Sequence, residues 1–82
     1  MPRLIPAEVE CYAGSRADER PRRVRVRGRV QRVDRLIASS IVESATGGEQ
    51  SYRYTVLTED GARLELLRTS EGAWFVVSES KG

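Results

Sequence analysis

Apolar and cationic side chains trade places residue by residue through the middle of the chain. Val24, Val26 and Val30 alternate with Arg23, Arg25, Arg27 and Arg29, with Gly28 between them. Period-2 alternation marks a half-buried β-strand, because successive strand side chains point to opposite faces. A helix would scatter the same arginines around its circumference. Ser51–Thr58 alternates as cleanly, with Tyr52, Tyr54 and Val56 against Arg53, Thr55 and Leu57. Leu64 and Leu66 share a face in Ala62–Arg68, and Val9 and Cys11 share one in Ala7–Tyr12. Ala73–Val77 (AWFVV) is almost wholly apolar, as a strand covered on both faces would be.

Turn signals separate these runs. Met1–Pro6 holds two prolines and reads as an irregular lead-in. Ala13–Pro21 is a loop, with room for one helical turn over Ser15–Glu19, and Pro21 sets an extended entry into the strand Arg22–Arg27. Arg27-Gly28 or Gly28-Arg29 makes a tight turn, since glycine tolerates the positive φ of hairpin turns. Beyond Val30 the alternation slips: Val33, Leu36 and Ile37 keep no single face. The spacing over Val33–Ile41 also fits a helix. β-branched residues and serines, without a helix cap, favour a long bent strand bulged near Gln31–Asp34. Ser44–Gln50 is a loop tipped by Gly47-Gly48, Asp60-Gly61 is the strongest hairpin signal, and Ser70-Glu71-Gly72 turns once more before a polar tail, Ser78–Gly82.

About six short strands and little helix make an all-β domain. Sequential antiparallel pairing costs least, which predicts a meander curled into a small open barrel or half-barrel spanning residues 1–82. Curling is needed because a flat sheet this small has nothing to bury its apolar face against. The expected core is Val9, Val24, Val26, Val30, Val33, Ile37, Ile41, Tyr54, Val56, Leu64, Leu66, Trp74 and Val76. Tyr54 and Trp74 belong there because aromatics anchor small cores; Tyr52 is left open. No internal repeat appears.

Charge changes the picture more than composition does. The 82 residues carry a net +2, but Arg20–Arg35 holds eight arginines and one aspartate, a local +7, while the rest holds six basic and eleven acidic residues, a −5. Thirteen of the fourteen basic residues are arginine, a bias that genome composition explains as readily as function. With 39% hydrophobic and 32% charged residues the composition is that of a soluble folded domain. No apolar run approaches the ~18 residues of a membrane span and no signal-peptide pattern opens the chain, so a reducing cytoplasm is the expected compartment and no membrane partner is expected.

Enzyme chemistry finds little to work with. The chain has no histidine and one cysteine, Cys11, too few ligands for an ordinary zinc site and too few thiols for a disulfide. Cys11 has no evident activating base and reads as a half-buried structural thiol. Glu59-Asp60 fits a solvated hairpin turn better than an acid pair, and Gly47-Gly48 lacks the lysine and helix of a phosphate-cradling loop. No cofactor, metal or catalytic residue is expected.

The arginines have two readings. One is a solvated strand face salted by Glu8, Glu10 and Glu65, in cross-strand pairs contributing ~0.2–1 kcal/mol each. The other is a surface for single- or double-stranded nucleic acid. Arginines two residues apart on a strand lie ~6.5–7 Å apart, near the spacing of backbone phosphates. The charge separation tips the balance to binding. The candidate residues are Arg23, Arg25, Arg27, Arg29 and Arg32, with Arg53 as a neighbour and Tyr12, Tyr52 or Phe75 as stacking platforms. A third reading is a protein-interaction module, binding a partner or a second copy through AWFVV if that strand lies at an edge, or associating head to tail through its opposed charges.

The order of motifs resembles a known bacterial domain. LIPAEVEC is followed by a loop and RP, then VRVRGRVQRVDRLI, a glycine-rich gap, YRYTVLTEDGARLELLR and a terminal tryptophan. The set resembles a small domain of unknown function in free-standing bacterial proteins and at the C-terminal end of the ImuB-type polymerase-like subunits of the Y family. The likeness spans roughly Ile5–Val77. The family carries aromatic residues near the positions of Val24 and Ser40, where this chain has none, so no stacking role is assigned there. The resemblance implies an accessory, non-catalytic role near DNA repair or translesion synthesis.

Overall fold

A computed structural model describes residues 4–12, 20–43 and 50–81. The described chain is all β: β1 (Ile5–Cys11), β2 (Pro21–Val26), β3 (Arg29–Glu43), β4 (Gln50–Thr58), β5 (Ala62–Arg68) and β6 (Trp74–Lys81). Each strand pairs antiparallel with the next, and β1 meets β6 to close a six-stranded barrel. The meander thus curls to full closure. Closure rests on a short seam in which Ile5, Pro6 and Ala7 pair with Val76, Phe75 and Trp74. A closed sheet has an inside, so alternate residues of every strand can share one core. The suggested helical turn at 15–19 and the glycine tip at 47–48 lie outside the described residues.

The core is Val24, Val33, Tyr54, Val56, Leu64, Leu66 and Val76, with Val9, Val26, Leu36, Tyr52 and Trp74 packed at its margin. Tyr54 and Trp74 meet with ring centroids 5.4 Å apart. Three expected core residues are not there: Val30, Ile37 and Ile41 are exposed. Ile41 and Val30 fail for different reasons, the first because it lies on the part of β3 that runs past the end of its β2 pairing, the second because of a turn described below. Ile37 falls at a bulge. β3 has two such register shifts, between Val33 and Arg35 and between Leu36 and Ala38, so its facing changes twice. The first lies at the end of the predicted bulged stretch.

Two hairpins use the same five-residue pattern, a short repeat within a chain that otherwise has none. Thr58-Glu59-Asp60-Gly61-Ala62 joins β4 to β5, and Thr69-Ser70-Glu71-Gly72-Ala73 joins β5 to β6. In each, the glycine N–H donates to the threonine carbonyl, at 3.1 and 3.0 Å, and the alanine N–H donates to the threonine Oγ1, at 2.9 and 3.1 Å. Gly61 and Gly72 have φ of 90° and 89°, which excludes an unstrained side chain there. The supposed polar tail also joins the sheet: Ser78, Glu79, Ser80 and Lys81 pair with β5.

The second half of β3 stands apart. β2 pairs with β3 only over Arg29–Arg32, whereas β4 follows β3 to Glu43. The barrel and this extension should separate in an unfolding experiment. Leu64→Ala, in the core, should cost about 2–5 kcal/mol, while Ile41→Ala should cost less than about 0.5 kcal/mol. Urea titration of both variants measures this, and similar losses would mean that the extension is part of the core.

Candidate nucleic-acid interface

The arginine-rich segment is two strands, and the turn between them decides where its charges go. Arg27 and Gly28 occupy that turn with φ of 53° and 77°, both in the left-handed region. This is the mirror-image two-residue turn that matches strand twist. It pairs Val26 with Arg29, Arg25 with Val30, Val24 with Gln31 and Arg23 with Arg32. Paired residues share a face, so the outward positions are odd on β2 and even on β3. A single ribbon carrying all four odd arginines on one flank is therefore not what forms.

Arg29 leaves the stripe. It shares the inward-facing row with Val26 at the barrel rim and lies 3.5 Å from Asp60 of the β4–β5 turn. Val30 takes its place outside, beside Arg25, and is half exposed. Gln31, by the same parity, is buried inside, and among the described residues its Oε1 has no hydrogen-bond partner. Arg53 also lies elsewhere, on β4, where its Nε donates to Glu65 at 2.8 Å. Arg23, Arg25 and Arg32 come together on the outer face of β2 and β3, with Arg27 at the turn beyond them.

Carboxylates only partly neutralise this face. Glu10 of β1 is shared by Arg22 at 3.4 Å and Arg23 at 3.7 Å. Arg25, Arg27 and Arg32 have no ion pair among the described residues, although Glu8 stands opposite Arg25 in register. Arg23 and Arg32 are direct cross-strand neighbours, a like-charge pairing that weakens a sheet unless something negative sits between them. Arg22 is the contributor that alternation hides. A register shift between Glu10 and Cys11 lets both it and Arg23 reach one carboxylate.

Three shallow grooves run together across this surface. The middle one lies over Glu8, Glu10, Arg23, Arg25 and Val30, and it shares Arg25 with the groove at the Arg27-Gly28 turn. It shares Arg23 with a groove of about 380 Å³ lined by Tyr12, Arg22, Arg23, Arg32, Val33 and Glu59. Five arginines and three glutamates line the whole, a net +2. Tyr12 is 53% exposed, and the Arg22 guanidinium lies 5.8 Å from its ring centroid. The other two suggested platforms are not in these grooves: Tyr52 lies beside Arg68, whose guanidinium is 5.5 Å from its ring centroid, and Phe75 is half-buried on β6 opposite Pro6. The surface thus gathers five arginines beside one exposed aromatic ring, over which the Arg22 guanidinium lies. Among the described residues no group of three or more acidic, cysteine or histidine side chains gathers as a metal site would.

Comparison with known proteins finds no significant match to this chain among family models, curated proteins or solved structures.

The turns can be tested one by one. Arg27 sits at positive φ, where asparagine is relaxed and a long side chain is not, so Arg27→Asn should raise stability by about 0.5–1 kcal/mol. Chemical denaturation tests this; a loss would mean that the guanidinium makes contacts that hold the fold. The Asp60 carboxyl is held below the usual aspartate range, first by the Thr58 hydroxyl that donates to it, and further by the Ala62 N–H and the Arg29 charge. A depressed folded-state pKa gives stability present above the unfolded value near ~4 and lost as pH falls through the folded one. Thermal unfolding of Asp60→Asn should therefore show a flatter decline below pH ~4 than the parent, and an identical acid limb would remove Asp60 from that role.

Proposed function

We propose that the protein is a non-catalytic module that binds single-stranded nucleic acid through the outer face of β2 and β3. The observation that carries this reading is the Arg23–Arg32 pair. The two arginines are paired in register across the ladder, Glu10 meets Arg23 and Arg22 but not Arg32, and Arg25, Arg27 and Arg32 have no ion pair among the described residues. Backbone phosphates are the ligand whose negative charge and paired acceptor oxygens suit such a row of planar guanidinium donors. Tyr12 at the end of the row favours a single strand over a duplex, because only unpaired bases can lie on an aromatic ring. The strained φ of Arg27 supports the same reading. A charged residue kept where asparagine or glycine would be relaxed is a mark of a functional position.

The setting we propose, an accessory role in bacterial DNA repair or translesion synthesis, follows from the resemblance of VRVRGRVQRVDRLI and YRYTVLTEDGARLELLR to the C-terminal domain of ImuB-type subunits, and the cytoplasm we propose as its compartment follows from the sequence reading above. Arginine contacts of this kind position a strand without reading its sequence.

Arg25→Gln combined with Arg32→Gln separates binding from folding. Neither side chain has a carboxylate partner among the described residues, and removing the Arg32 charge relieves its repulsion of Arg23. Stability should hold or rise slightly, while affinity for a single-stranded oligonucleotide at low salt should fall about tenfold or more. The slope of log affinity against log salt should drop by about 1.4, roughly 0.7 for each phosphate no longer neutralised. Fluorescence anisotropy against single- and double-stranded DNA measures all of this. Unchanged affinity, or a stability loss of several kcal/mol, would overturn the proposal.

A further inference from the structure

β6, whose AWFVV segment reads from sequence as a candidate edge, is flanked by β1 and β5 at Trp74–Val76 and is not available there. The side chain left without a task lies instead in the groove at the Tyr12 end of the arginine row. Three glutamates line the grooves of this face. Glu10 holds Arg22 and Arg23, and Glu8 stands opposite Arg25 in register. Glu59 has neither an ion pair nor a side-chain hydrogen bond among the described residues, although it lines one groove with Arg22, Arg23 and Arg32. Its backbone N–H donates to the Arg32 carbonyl at 2.9 Å, which fastens the β4–β5 turn to β3 and fixes Glu59 at this place. The turn itself does not call for a carboxylate there. The matching turn from Thr69 to Ala73 makes the same glycine and alanine bonds with Ser70 at the equivalent position.

We infer that Glu59 reads the edge of an unpaired base and that this groove prefers guanine. The inference rests on the nucleic-acid reading of the face and adds a base preference to it. An ionised carboxylate only accepts hydrogen bonds, and it repels phosphate. Beside a phosphate-binding row it can therefore favour only the part of a nucleotide that donates, and in a DNA strand the donors are on the bases. On the Watson–Crick edge thymine offers a single N–H, and adenine and cytosine a single amino group each. Guanine alone sets an N–H and an amino group side by side, one for each carboxylate oxygen. That edge is free only in an unpaired base, in keeping with a single strand. The groove, about 380 Å³ in volume, supplies the remaining contacts. Arg23 and Arg32 serve the phosphate, and the Tyr12–Arg22 pair offers a surface for the ring. The arginine row holds a strand of any sequence, and Glu59 sets which base fits best at its end.

The test is fluorescence anisotropy of the full chain with a short labelled deoxythymidine strand and with the same strand carrying one central deoxyguanosine. The guanine should tighten binding by about tenfold. Deoxyinosine, which keeps the ring N–H and lacks the amino group, should recover only part of that gain, and deoxyadenosine and deoxycytidine should fall short of guanine. Glu59→Gln should erase the advantage of guanine and, by removing a negative charge, tighten binding to the plain thymidine strand. Glu59→Ser, which copies the other turn, should do the same, with thermal unfolding of both variants matching the parent. Equal affinity for the strands with and without guanine overturns the inference and leaves the nucleic-acid reading standing. A guanine preference that survives Glu59→Gln overturns it too. So does a uridine ribonucleotide strand that binds more tightly than the thymidine strand and loses that gain in Glu59→Gln, since the carboxylate would then take a sugar hydroxyl. A protein that binds none of the strands overturns both this inference and the reading beneath it.

Discussion

The two-residue turn at Arg27-Gly28 is the constraint on which the surface chemistry depends. A turn of that length pairs Val26 with Arg29 and exchanges odd for even outward positions between β2 and β3. One more residue in the turn would send Arg32 inward and Gln31 outward. Mirror-image turn geometry demands positive φ twice, and the chain meets it with one glycine and one arginine. The strained residue is thus also one of the cations without an ion pair among the described residues.

Closure of the barrel makes this surface stable enough to hold its charges together. The seam between β1 and β6 is three residue pairs long, yet it turns an open sheet into one with a sealed interior. It also brings Glu8 and Glu10 alongside β2, because β1 is fixed by β6 on one edge and by β2 on the other. These glutamates temper the cationic face without cancelling it. A face with full carboxylate pairing would have only the modest worth of surface ion pairs. The remaining excess is where an anion gains most.

Much of the fold is legible in the sequence because local and global signals agree. Asp60-Gly61, the alternation of Ser51–Thr58 and the leucines of β5 specify a hairpin whose facing the structure repeats, although the turn is one residue longer than an Asp-Gly pair, with Glu59-Asp60-Gly61 between Thr58 and Ala62. The site is legible as composition, a concentration of arginine beside valine, and less so as geometry. Alternation carried through the turn, as though the strand were continuous, puts Arg29 on the stripe and Val30 in the core, and the turn reverses both. Arg53 joins the stripe by charge alone, and only the fold brings it to Glu65. Ile37 and Ile41 look like core because β-branched residues do, and nothing local says that β2 ends before they begin. Bulges at Asp34 and Ile37 change facing through long-range pairing, which periodicity does not carry.

The most direct test follows backbone amides of isotopically labelled protein by NMR while a short single-stranded oligonucleotide is added at low salt. Shifts should concentrate at Arg23, Arg25, Arg27, Arg32 and Tyr12, and should leave Arg53, Trp74 and the Thr69–Ala73 turn in place. A spectrum that does not move, or one that moves at Trp74 and Tyr52 instead, would contradict the assignment of that face to nucleic acid.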